Sequence, residues 1–143
     1  MNRSVIFLIF LLASCSSSTD TIVIEENSPV VQDNLLSENI GIETLGGVLT
    51  PLLNSGCKLP CKLSQVFSTA EDNQNQITIT LIRGSDKMAN KGKNLGKYQI
   101  SGITLAPRGV PQIEVIFEAS GGNILLSAKD KENNSNLKLF KVE

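Results

Sequence analysis

Residues Gln76 to Gly84 read QITITLIRG. Apolar and hydroxyl-bearing residues alternate, so Ile77, Ile79 and Leu81 share one face while Thr78 and Thr80 point the other way. That is the period of a strand lying against a core. Outward from it, turn signals recur every 8 to 15 residues from Glu38 onward. They are Gly46-Gly47, Asn54-Ser55-Gly56, Asp72-Asn73, Lys91-Gly92, Ala106-Pro107-Arg108-Gly109 and Gly121-Gly122-Asn123. Glycine supplies positive φ at such turns, and proline presets φ and removes a donor. Between them the spacing predicts strands over 39–44, 47–53, 62–69, 76–83, 96–102, 111–119, 123–128 and 136–142. Short strands at this spacing predict an all-β sandwich or barrel, with no long helix in the body of the chain.

The 143 residues fit one domain plus a processed or flexible end, and 41% apolar content allows one modest core. A net charge of −1 points to no nucleic-acid partner. Histidine is absent, which removes Ser-His-Asp and Cys-His nucleophile systems and the commonest zinc ligand. The glycine pairs are not phosphate loops, because no G-x-x-x-x-G-K-[ST] or helix-opening G-x-G-x-x-G occurs. No ATP site and no other cofactor site is therefore expected in this chain. Glu114 and Glu118 fall on one outward strand face about 13 Å apart, too far for a glycosidase pair. Arg83, Lys87, Lys91, Lys93 and Lys97, around Asp86, read as a solvated basic loop.

Cys57 and Cys61 flank Lys58-Leu59-Pro60. Two nearby cysteines in an exported protein form a candidate disulfide. An extended C-x-x-x-C holds the Cα atoms too far apart, whereas a tight turn brings them within about 7 Å. Zinc is not expected, since two thiolates without a further pair cannot close a tetrahedral site.

The amino terminus, MNRSVIFLIFLLASCSSSTD, reads as an address. Arg3 precedes an apolar run, Val5 to Leu12, far shorter than the roughly 20 residues that cross a bilayer as a helix. The length fits the apolar region of a secretory signal. Leu12-Ala13-Ser14-Cys15 resembles a bacterial lipobox, in which the cysteine is acylated and becomes the mature amino terminus. Residues 1–14 are thus expected to be a signal peptide, 15–37 a lipidated Cys15 and flexible tether, and 38–143 the folded domain. Acyl chains on Cys15 imply a lipid-anchored protein of the bacterial cell envelope. The alternative is a cytoplasmic protein with a spurious signal. Thr21-Ile22-Val23-Ile24 is a stray strand candidate with no neighbouring partner.

Three longer stretches carry a family resemblance: Gly41 to Leu52 (GIETLGGVLTPL), Ser64 to Gln74 (SQVFSTAEDNQ) and Ala106 to Val115 (APRGVPQIEV), with Ser127 to Lys131 (SAKDK) following. Together, over about residues 40 to 131, they resemble the β-sandwich substrate-binding subdomain of the 70-kilodalton heat-shock chaperones, bacterial DnaK type. The resemblance implies two four-stranded antiparallel sheets whose loops at one end grip an extended, apolar-centred segment of an unfolded polypeptide. It implies that Leu45 and Ala70 arch over the bound backbone. Ile42, Phe67, Ile77, Ile79 and Ile113 then line a central side-chain pocket, and Thr44 and Ser68 stand where the peptide main chain is hydrogen-bonded. By pattern alone, Ile77 and Ile79 are simply core.

The chain departs from the family in three places. Nothing resembling the ATPase domain precedes the sandwich, Val30 to Asn39 replaces the family's linker, and the helical lid is not seen before Glu143. Arg108 and Asp72 match positions that latch the lid and are expected to lack partners. Peptide binding without the chain's own ATPase, with fast exchange and self-association through an open groove, is the expectation that follows. The competing readings are a chaperone fragment without independent function, and an envelope lipoprotein that uses the sandwich for one fixed protein partner. No enzyme activity is expected.

Overall fold

The computed structural model describes residues 19–25, 31–133 and 135–143. QITITLIRG forms a nine-residue strand whose Ile77, Ile79 and Leu81 are buried and whose Thr78 is exposed. In chain order the strands are β1 (Asp20–Glu25), β2 (Val31–Gln32), β3 (Leu35–Leu36), β4 (Asn39–Thr44), β5 (Val48–Leu53), β6 (Cys61–Phe67), β7 (Gln76–Gly84), β8 (Lys93–Ser101), β9 (Ile113–Ser120), β10 (Asn123–Asp130) and β11 (Lys138–Lys141). A single 3-10 turn, Ala89–Lys91, is the one helical element among the described residues.

Two antiparallel sheets make the sandwich, in the orders β1-β10-β9-β6 and β11-β8-β7-β4-β5. Strict alternation along β9 and β10 sends Ile113, Val115, Phe117 and Ala119, then Ile124, Leu126 and Ala128, into the space between the sheets. Ile40, Leu81, Tyr98 and Ile100 meet them from the other side. The Tyr98 hydroxyl is satisfied by donating to the Leu95 carbonyl (2.8 Å), as a buried phenol requires. Its burial pushes the phenol pKa above the ordinary value.

The expected all-β sandwich of two antiparallel sheets is present, with five and four strands in place of four and four. The ninth strand, β1, comes from the amino-terminal segment and completes the four-stranded sheet, while β11, β8, β7, β4 and β5 correspond to five of the expected strands gathered in one sheet. Residues 20–25, expected to be tether, pair with β10 across six positions, from Asp20–Ala128 to Glu25–Asn123. Ile22 and Ile24 pack on the core, and the Leu139 amide donates to Asp20 Oδ2 (2.8 Å). Residues 31–36 are likewise not tether. They form a hairpin, β2–β3, turned by Asp33 and Asn34 at positive φ (54° and 63°). Leu36 is 1% exposed, and the hairpin is stitched to the loop after β5 by Leu36 N–Cys57 O (2.9 Å) and Gly56 N–Leu36 O (2.7 Å). A strand partner about a hundred residues away leaves no local turn signal, which is why the segment reads as a tether in the sequence.

Candidate functional site

At one end of the sandwich a ladder stops early. β4 pairs with β7 from Asn39–Gly84 to Ile42–Leu81 and no further. Beyond that point Glu43 and Thr44 pair only with β5, and Gln76 to Thr80 pair only with β8. On the facing sheet, Phe67 and Ile113 form the last β6–β9 pair at the same end. The five apolar residues singled out in the sequence therefore converge. Ile42, Ile77, Ile79 and Ile113 are buried members of the main core cluster, and Phe67 packs against it half-buried.

One rim above these residues is the turn joining β4 to β5. Gly46 and Gly47 both have positive φ (86° and 72°), and the Gly47 amide donates to the Thr44 carbonyl (3.1 Å). The turn lifts Leu45 clear of the protein, fully exposed. The Thr44 hydroxyl is engaged internally, 2.9 Å from the Thr50 hydroxyl and 3.3 Å from the Val48 carbonyl. Behind the turn, residues 86–89 act as a buttress: Ala89 N–Gly47 O and Leu49 N–Lys87 O are each 2.9 Å. Asp86 Oδ1 accepts from the Met88 amide (2.9 Å), and Lys91 sits 3.5 Å from its other oxygen. The hydrogen bond from the Met88 amide lowers the Asp86 carboxyl pKa from its ordinary value; desolvation acts in the opposite direction, and Lys91 adds to the lowering.

The other rim is the loop from Ser68 to Asn75. Gln74 organises it: its Oε1 accepts from the amides of Ala70 (2.9 Å) and Glu71 (3.2 Å), and its Nε2 donates to the Gln76 carbonyl (2.7 Å). Ala70 is exposed. A cavity of about 440 Å³ lined by Ala70, Glu71, Gln74, Gln76 and Thr78 lies beside it. The Ser68 hydroxyl donates to the Pro111 carbonyl, and Gly109 N–Thr69 O (3.0 Å) and Asn73 N–Ala106 O (2.9 Å) tie the loop to residues 106–111. The Asp72 side chain has a partner within the chain, contrary to the expectation for a lid latch, whereas for Arg108 it is the main-chain amide that is engaged. Asp72 Oδ1 accepts from the Arg108 amide (2.9 Å), because the 106–110 loop folds directly against the rim.

Sequence reasoning assigned no role to Gln74, Asp86 or Ala89. Gln74 sits inside the quoted stretch SQVFSTAEDNQ, so the signal was present but unspecific. The 86–89 segment has no periodicity to find. At the far end of the sandwich Cys57 and Cys61 are joined, with Cα atoms 6.2 Å apart across a turn containing a cis Leu59–Pro60 bond. Cys15 lies outside the described residues. Glu114 accepts from the Ser64 hydroxyl on the outer sheet face.

Residues 23–141 match the family described as Hsp70 protein. A relative, the chaperone protein DnaK of Carsonella ruddii (strain PV), is 49% identical over 110 residues. The aligned region covers 73% of this chain and 18% of that relative, so the chain spans about a fifth of the relative's length.

Proposed function

Because the chain belongs to the Hsp70 family, we propose that its sandwich binds extended, apolar-centred segments of unfolded polypeptide. The observation that carries this reading is the early stop of the β4–β7 ladder at Ile42–Leu81. Beyond that pair β4 and β7 are no longer bonded to each other, at the end of the sandwich where Phe67 and Ile113 close the β6–β9 ladder and where Ile42, Ile77 and Ile79 belong to the core. An extended peptide carries unpaired N–H and C=O groups, which rim backbone can satisfy in the manner of strand addition. Leu45 and Ala70 then close over the peptide backbone. One Leu-like side chain entering the floor between Ile42, Phe67, Ile77, Ile79 and Ile113 contributes about 1.5–3 kcal/mol when fully buried. Main-chain contacts are generic, so sequence selectivity is low. All of these groups belong to the sandwich, and peptide binding by this chain therefore requires no nucleotide.

The lipobox-like Leu12-Ala13-Ser14-Cys15 supports an envelope location with Cys15 acylated as the anchor. Fatty-acid labelling with a Cys15→Ala control tests that part separately.

The binding reading is tested by titrating the chain with a fluorescent Leu-rich heptapeptide. Saturation at micromolar concentration is expected, and Ile77→Asp abolishes it. Leu45→Ala, a change at a fully exposed side chain that leaves the core intact, weakens it severalfold. Absence of binding by the folded parent chain up to millimolar peptide overturns the reading.

A further inference from the structure

The far end of the sandwich holds a feature that peptide binding does not use. The β2–β3 hairpin has two residues in each strand, too few to persist as an isolated ladder in water. It is held in place from outside. Leu36 N donates to Cys57 O (2.9 Å), Gly56 N to Leu36 O (2.7 Å) and Leu59 N to Asn34 O (3.0 Å). The Asn34 side-chain amide donates to Leu59 O (3.3 Å), and Leu35 bridges to Lys58. These partners, Gly56 to Leu59, lie in or next to the loop that the Cys57–Cys61 disulfide closes. Leu36 and Leu59 belong to the main core cluster, and both cysteines pack against it. A cavity of about 220 Å³ lined by Asp33, Leu35, Leu36, Ser37 and Gly56 runs along the seam, so packing there is incomplete.

We propose that Cys57–Cys61 is a thiol–disulfide exchange site whose substrate is a dithiol reductant, and that its reduction releases the β2–β3 hairpin while the groove stays folded. Both cysteines are half-buried and not sealed in the core, which leaves an approach for an attacking thiolate. That thiolate forms a mixed disulfide with one cysteine, and the other cysteine leaves as a thiolate and takes up a proton. The reagent's second thiol, having lost its proton, displaces the first cysteine and closes the oxidised reagent. The dithiol thus loses two electrons and two protons, and the protein pair gains them as two thiols. The effect is local for two reasons. The bond spans a sequence separation of four, so it removes little chain entropy compared with a long crosslink. The groove rims and the Phe67–Ile113 pair stand at the opposite end, and none of the rim bonds described above reaches residues 54–61. Leu36 leaves the core with the hairpin, so the reduced chain presents new apolar surface at the end away from the groove.

The test treats the full chain with dithiothreitol in native buffer, then with iodoacetamide. A mass gain of two alkyl groups over the unreduced chain is expected. In the reduced, unalkylated chain, amide exchange at Leu36, Gly56 and Leu59 should accelerate about tenfold or more, with residues 44–48 and 70–74 unchanged. Reoxidation should restore the protection. The double variant Cys57→Ser, Cys61→Ser should show the fast exchange with or without dithiothreitol. Three results overturn the inference. Alkylation only after the domain unfolds makes the pair an inert staple. Reduction without faster exchange at the three amides means that the hairpin is held by other contacts. Acceleration at both rims as well makes the bond a global support. If the double variant does not fold, the reduced parent decides between the same outcomes. Each of these readouts is independent of peptide binding, so the inference and the binding reading fail separately.

Discussion

The two rims of the groove do the same geometric job by different means. The Leu45 rim is built almost entirely from backbone: two positive-φ glycines, one turn bond and two main-chain bonds from residues 86–89. The Ala70 rim is built around side chains. Gln74 alone makes three bonds, and Asp72, Thr69 and Ser68 bind backbone on the neighbouring 106–111 segment. A backbone-held turn is insensitive to most side-chain changes and vulnerable to changes in φ. A side-chain-held loop has the opposite profile, since deleting one hub leaves several donors and acceptors unpaired at once. Substitutions that separate these two profiles are the sharpest probes of the site.

The largest effect is expected from Gln74→Ala. It strands the Ala70 and Glu71 amides and the Gln76 carbonyl together, and a hub of this kind is worth about 1–3 kcal/mol where water cannot fully replace it. The expected outcome is roughly tenfold weaker heptapeptide binding. Amide exchange should accelerate over residues 70–74, with that of residues 44–48 unchanged. Acceleration at both rims would show that they are one cooperative unit. Next comes Gly47→Ala. A Cβ there meets nothing closer than Glu43 Oε1 at 3.8 Å, so the cost is conformational, about 1–2 kcal/mol for an L-residue at a left-handed φ. Peptide binding should weaken because the turn carrying Leu45 shifts. Gly121→Ala, with a φ of +60° and open space around the new Cβ at the far end, carries the same backbone cost and should leave binding unchanged. Equal losses of binding in the two variants would mean that global stability, and not rim geometry, sets the affinity.

The contrast between the rims also marks what a sequence can reveal. Alternation made β7, β9 and β10 legible, because inward and outward residues differ at every step along those strands. Ile77 and Ile79 read as core by pattern and as floor by resemblance, and their burial at the open end of the core is compatible with both. The rims were legible only as quoted stretches. A glutamine with three partners looks like any other loop glutamine until its loop is closed. The 86–89 buttress rests on main-chain groups that every residue possesses, so no residue type announces it. β1 escaped for a different reason: TIVI carries a strand signal, but its partner row, Ile124 to Ser127, is about a hundred residues away. A stray apolar run between polar segments should therefore be tested against distant sheet edges before it is assigned to a linker.

The smallest expected effect is a pH dependence confined to the Leu45 rim. The Met88 amide stabilises the ionised Asp86 carboxyl, with Lys91 assisting, so its folded-state pKa lies below the unfolded value. A group shifted downward contributes stability that is fully present above the unfolded pKa and lost as pH falls through the folded one. The relevant window is thus below about pH 4. Between pH 5 and pH 3 the amides of Met88, Ala89 and Leu49 should lose protection, while Ala70 and Glu71, whose acceptor is the non-titrating Gln74 amide, keep theirs. Asp86→Asn retains an acceptor for the Met88 amide and cannot ionise, so its exchange at pH 5 should resemble the parent and the acid-induced change should vanish. If Ala70 and Glu71 open together with Ala89 in the same acid step, the buttress and the glutamine hub are coupled through the shared floor, and the independence of the two rims fails.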